Sequence, residues 1–233
     1  MAMPAYSVAD IEALLSVCRR ELGTAGADGD IRFGDDRWRG LIAATLDHGL
    51  IGPLYKAALK AGSAPDHILT SVRTAYLTQA ARNLQLTTAL TEILRAFAEC
   101  DIEVAVFKGP ALALMAYGQI TYREFTDLDL LVRAENIKRA RLALNNLGYR
   151  QLGEDIETGN AHKDIQFLRD VDGAFVELHW ALNPPNNRFP LEATGICLRN
   201  CWITTKFQPQ NISSLKTCDR ILRLPLTHLI SSS

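Results

Sequence analysis

The chain has 233 residues, 48% hydrophobic and 22% charged, with 25 basic against 26 acidic side chains and a net charge of −1. That balance excludes whole-chain disorder, and without a basic stripe it argues against stable DNA binding. No stretch approaches 18 apolar residues and no basic-then-apolar leader opens the chain, so the expectation is a cytoplasmic protein with no membrane segment. The five cysteines (Cys18, Cys100, Cys197, Cys201, Cys218) are odd in number and scattered, as reduced cytoplasmic thiols are. Cys197 and Cys201 lack the second pair or nearby histidine that a metal site would need.

In chain order, Ser7-Val-Ala-Asp10 caps a helix over 7–22 that carries Ile11, Leu14, Leu15 and Cys18 at helical spacing. A glycine-rich polar loop follows from Gly23 to Gly34. Helical patterning resumes from Asp35 to about Leu50, Gly52-Pro53 punctuates, and a short helix follows to Leu59. From Asp66 to Cys100 there is no Gly or Pro, and Ile68, Val72, Tyr76, Leu84, Leu90, Ile93, Leu94 and Phe97 hold helical register. This predicts one long helix or two joined end to end.

The pattern then changes to strands. Glu103 to Phe107 is a short β-type run ending at Lys108-Gly109-Pro110, followed by a short helix over 111–117. Asp127 to Val132 reads as a buried strand, Ala134 to Leu147 as an amphipathic helix closed by Gly148, and Tyr149 to Leu152 as a further strand. Residues 154–160 form a loop. Ile165 to Arg169 and Ala174 to Leu182 form a strand pair around the turn signal Asp172-Gly173. The expected fold class is α+β: a helical N-terminal region (1–100), then a small mixed β-sheet flanked by helices (101–190). The tail over 191–233 is poorly patterned and reads as truncated or diverged.

Chemistry concentrates at the strand opened by Asp127-Leu-Asp129. Residues i and i+2 of a strand share a face, so the two carboxylates project together while Leu128, Leu130 and Val132 face a core. Adjacent carboxylates repel unless a cation lies between them, and Mg²⁺ favours a few carboxylates plus phosphate oxygens. The spacing alone carries little: the chain holds seven acid-x-acid pairs, against roughly three expected from composition. What singles this pair out is its place at the head of an apolar run; solvation at an exposed strand entrance is the ordinary alternative.

In Phe175-Val-Glu-Leu-His-Trp180, Phe175, Glu177 and His179 share one face, and Glu177 completes a three-carboxylate cluster if this strand neighbours the Asp strand. A cross-sheet ion pair is the alternative for Glu177. Lys108-Gly109-Pro110, between a strand and a helix, has the form of a phosphate-binding turn, although such turns are also common for geometric reasons alone. His162 and His179 are further candidates, with packing or hydrogen bonding as their commoner role. No P-loop or dinucleotide glycine motif is present.

These elements in this order resemble the uncharacterised nucleotidyltransferase family of bacteria, within the DNA polymerase beta-like nucleotidyltransferase superfamily. The likeness covers roughly Asp66 to Leu182. It rests on Lys108-Gly109, Arg123, Asp127-Leu-Asp-Leu-Leu-Val132, the helix ending in Gly148-Tyr149, and Val176-Glu-Leu-His-Trp180. It implies Asp127, Asp129 and Glu177 holding one or two Mg²⁺, with Lys108, Gly109 and Arg123 near a nucleoside triphosphate. The implied reaction moves a nucleoside monophosphate to an unidentified acceptor, whether a small molecule, a protein or an RNA end. Pro110 departs from the superfamily pattern by removing an N–H donor beside Gly109. With the short C-terminus, it motivates an alternative: a catalytically impaired nucleotide-binding or partner-binding module of the same fold. A metal-dependent phosphohydrolase using the same carboxylates is a third reading.

Overall fold

The computed structural model describes residues 6–21, 23, 33–62, 64–153 and 164–181. Among them are six α-helices, a 3₁₀ turn and one five-stranded mixed sheet, an α+β architecture. The expected loop over 154–160, most of the loop between Gly23 and Gly34, the 183–187 loop and the tail over 191–233 lie outside the described residues. No described helix is long and apolar enough to cross a membrane. The fold divides into two units, the described parts of Met1–Gln85 with Ala113–Thr126 and of Leu86–Leu112 with Asp127–Ser233.

The first unit is helical. α1 (Val8–Glu21) starts on a reciprocal cap: the Ser7 backbone N–H donates to Asp10 Oδ2 at 2.8 Å, and the Asp10 N–H returns to Ser7 Oγ at 3.3 Å. Arg37 of α2 (Asp35–Asp47) adds a bond to the other Asp10 oxygen at 3.0 Å. The shared core of α1, α2 and α3 (Ile51–Ala61) holds Leu14, Val17, Trp38, Leu41, Ile51 and Leu54, joined by Ile68 and Val72 of α4. Gly52-Pro53 follows the break between α2 and α3, as the sequence suggests, and lies in the first turn of α3 rather than ahead of it. A proline there gives up an N–H that has no intrahelical partner. Gly52 is required by close approach, since a Cβ would stand 2.7 Å from the Thr121 carbonyl oxygen.

α4 (Asp66–Glu99) is a single helix of 34 residues and runs through both units. Its first half clamps the segment that follows α5 (Gly109–Tyr117): Gln79 donates to the Thr121 carbonyl, and Asn83 Nδ2 to those of Ile120 and Arg123. Its second half buries Leu86, Leu90, Ile93 and Phe97 and is tied to the sheet by Arg169 Nη1, 2.7 Å from Glu92.

The sheet belongs to the second unit. Its strands are β1 (Val104–Val106), β2 (Leu128–Val132), β3 (Arg150–Gln151), β4 (Asp164–Arg169) and β5 (Ala174–His179), in the order β1-β2-β5-β4-β3. Only β2 and β5 run parallel; the other neighbours are antiparallel. Every residue of β2 is buried, so the strand is covered on both faces rather than on the leucine face alone. Strand ends shift from the sequence reading in all five strands, and two of the shifts bear on the site. β2 begins at Leu128, leaving Asp127 just ahead of it. β5 ends at His179 rather than Leu182, because its pairing runs out there, at Leu131 on one side and Asp164 on the other. The helix expected from Ala134 opens as a 3₁₀ turn (Ala134–Asn136) before α6 (Ile137–Asn146), and Gly148 takes φ +84° just after it.

Candidate metal centre

The parallel pairing of β2 with β5 sets Asp129 directly opposite Glu177, and Leu131 opposite His179. Since alternate residues share a face, Asp129, Glu177 and His179 converge above the middle of the sheet. One ligand-capable atom from each of the three lies within 4.8 Å of the others. His179 Nε2 stands 3.3 Å from Asp129 Oδ1 and 3.3 Å from Glu177 Oε2, while its Nδ1 is 3.5 Å from Asp164 Oδ2. Phe107, just after β1, meets the imidazole edge-on with ring centroids 5.1 Å apart.

Asp129 is 0% exposed. A buried carboxylate without compensation costs several kcal/mol; here Lys108 Nζ supplies part of the compensation at 2.7 Å from Oδ1. Burial pushes the Asp129 carboxyl up, but His179 and the bonded Lys108 outweigh it and hold the group below its ordinary 3.8. Burial likewise opposes the charge on Lys108. The bond to Asp129 and the charges of Asp129, Glu177 and Asp127 overcome this and hold the ammonium above 10.5. Asp129 Oδ2 and both imidazole nitrogens of His179 are buried without an aligned hydrogen-bond partner among the described residues. Orphaned lone pairs facing a second carboxylate are what a divalent cation would satisfy, so this donor set fits one.

The expected site residues are distributed as follows. Asp129, Glu177 and Lys108 come together, and Asp127 stands at the entrance to β2, half-buried, its charge acting on Lys108. His179 belongs to the convergent trio, whereas Asp127 does not. Gly109, at the N-terminus of α5, has φ +53°, a left-handed conformation that disfavours other residues. Arg123 falls in the segment Ala113–Thr126 of the first unit, half-buried, with Nη1 lacking a hydrogen-bond partner among the described residues. His162 lies outside the described residues. Sequence reasoning missed Asp164. Its signal was weak, an acid at a strand start, and it matters only because β4 pairs with β5 so that Asp164 faces His179.

A model of the uncharacterised nucleotidyltransferase family matches residues 34–231, which is most of the chain. The chain belongs to this family. Among solved structures, the antibiotic-resistance factor ANT(2″)-Ia in solution is 22% identical, with 43% of this chain and 48% of that chain covered and a TM-score of 0.34. ANT(2″)-Ia in complex with adenylyl-2″-tobramycin is 21% identical, with coverage of 43% and 53% and a TM-score of 0.33. This family member thus spans about half the length of the solved structures it matches. No curated protein matches it significantly.

Proposed function

We propose that the chain is a Mg²⁺-dependent nucleotidyltransferase that moves a nucleoside monophosphate from a nucleoside triphosphate to an acceptor hydroxyl. The observation that carries this reading is the register of β2 on β5, which pairs a fully buried Asp129 with Glu177 and leaves Asp129 Oδ2 without a partner. Asp129 and Glu177, with Asp127 beside them, would hold the cation. When bound, it would neutralise charge on the α- and β-phosphates and make the α-phosphorus a better electrophile.

The protein's own groups do the rest. Lys108, half exposed and just after β1, is within reach of phosphate oxygens once released from Asp129. Gly109, the first residue of α5, lets the backbone approach the triphosphate at a helix N-terminus. The family likeness also implies Arg123 as a nucleotide-binding residue. A carboxylate of the cluster takes the acceptor's proton as the new O–P bond forms and the bond to pyrophosphate breaks.

The test is transfer of α-labelled nucleotide to a panel of acceptors. Mg²⁺-dependent labelling that is lost in D129N and E177Q is expected; labelling that D129N retains would sink the assignment. One observation favours a second reading, a nucleotide-binding module without turnover: Lys108 already occupies Asp129 Oδ1 as a resident cation. Calorimetric binding of Mg-nucleotide with no transfer across the whole panel would select that reading.

A further inference from the structure

We infer that His179 is itself a ligand of the cation site, adding an imidazole to the carboxylates, so that the site that works with Mg²⁺ also binds Mn²⁺-type ions, and binds them more tightly. This rests on the metal-site reading above and extends it, since that reading uses carboxylates alone.

Three observations carry the inference. First, the separations suit a shared ion. Two ligands about 2.1 Å from one metal, at right or tetrahedral angles, stand roughly 3.0–3.4 Å apart. His179 Nε2 is 3.3 Å from both Asp129 Oδ1 and Glu177 Oε2. Second, the imidazole is 2% exposed, and neither nitrogen has an aligned hydrogen bond among the described residues, so Nε2 is a buried group aimed at two acids. Third, the ring is held from behind. Asp164 Oδ2 lies 3.5 Å from Nδ1, and Phe107 packs against the ring edge. A carboxylate behind a histidine fixes its orientation and makes the opposite nitrogen a better donor.

The cause lies in the sequence. β5 places Glu177 and His179 two residues apart on one face, and β2 brings Asp129 opposite Glu177, so a nitrogen and two oxygens meet without any loop being involved. Mg²⁺ is a hard ion that prefers oxygen ligands and retained water, whereas an imidazole in the set raises affinity for first-row transition ions. Asp164 then acts as a positioning residue, through His179.

The test uses the full chain with Mn²⁺ alone, read by pulsed electron paramagnetic resonance and by calorimetry against Mg²⁺. The wild type is expected to show ¹⁴N modulation from one imidazole and to bind Mn²⁺ at least tenfold more tightly than Mg²⁺. In H179N the modulation disappears and the Mn²⁺ preference collapses; D164N keeps the modulation but weakens Mn²⁺ binding about tenfold, as loss of a group behind a ligating histidine does. Because His179 is buried, a variant carrying asparagine at His48, His67, His162 and His228 reaches the same assignment if H179N does not fold, and it should retain the modulation. Mn²⁺ binding that requires Asp129 but shows no ¹⁴N modulation, or modulation that survives H179N, overturns the role of His179. Mn²⁺ binding unaffected by D129N overturns the underlying site instead, so the two failures are distinguishable.

Discussion

Lys108 and a divalent cation compete for the same carboxylate, and Lys108→Met therefore makes opposite predictions for metal and for nucleotide. Its ammonium sits 2.7 Å from Asp129 Oδ1, the short distance of a charge-assisted bond, yet its side chain is 50% exposed. Releasing it costs one such bond but returns the ammonium to water. After that discount the pair is worth about 1–2 kcal/mol, above an open surface pair and below a buried one. Removing the competitor should then tighten metal binding to the nucleotide-free protein roughly five- to thirtyfold, at about 1.4 kcal/mol per factor of ten. Nucleotide affinity at saturating metal should fall, because the same ammonium is the one proposed to reach the phosphates. Calorimetry with Mn²⁺ and then with nucleotide, at fixed ionic strength, reads both effects. Lys60→Met is the control for charge, since Lys60 pairs with Glu21 in the first unit. Metal binding in K108M that is weaker than wild type, or unchanged, would refute the competition and with it the placing of the cation on Asp129.

Gly109→Ala and Gly118→Ala form a matched pair, because both glycines have positive φ, +53° and +70°. Each should lose about 1–2 kcal/mol in denaturant unfolding through left-handed strain, but only G109A should also weaken nucleotide binding. Ser7→Ala removes the reciprocal cap of α1 and should lower stability by about 1 kcal/mol, a drop in Tm of about 2–4 °C for a chain of this size. The hydrogen bonds from Ser7, together with Arg37, hold Asp10 below its ordinary 3.8. Its contribution to stability is thus fully present above that value and is lost as pH falls through the lower folded value. Asp10→Asn should therefore shrink the loss of stability in acid, measured as unfolding free energy from pH 6 downward. Gly52→Ala would set a Cβ 2.7 Å from the Thr121 carbonyl oxygen, and should destabilise by about 1–3 kcal/mol by overpacking.

How far the sequence spoke depended on whether a feature was local. Hydrophobic periodicity is local, so α1, α2, the helical register of α4 and the alternation of β5 were all readable, as was the Ser7–Asp10 cap; that α4 is one helix rather than two end to end was not. Strand ends were not, because the extent of β5 is decided by how far β2 and β4 accompany it, and those partners lie about ten to fifty residues away. Gly52-Pro53 marked the boundary between two helices but not its exact place. Its residues look like a break, but a helix start uses the same pair, and the demand for glycine comes from the distant Thr121 and Tyr122 backbone.

The candidate site divides along the same line. Asp129 could be chosen because it interrupts an apolar strand, and Glu177 for the same reason. Asp127 was placed beside Asp129 because the pair opens an apolar strand, and His179 was left as a further candidate. Register adds His179 to the group. Pairing Asp129 with Glu177 moves the centre of the cluster one residue pair along β5, toward His179 and away from the entrance where Asp127 stands. A parallel pair slipped by two residues would have kept every side chain on its face and set Asp127 opposite Glu177 instead. Which side chain converges on Asp129 and Glu177 is therefore a property of strand register, which the leucines and valines of β2 and β5 determine by their burial, rather than of the acidic motif itself.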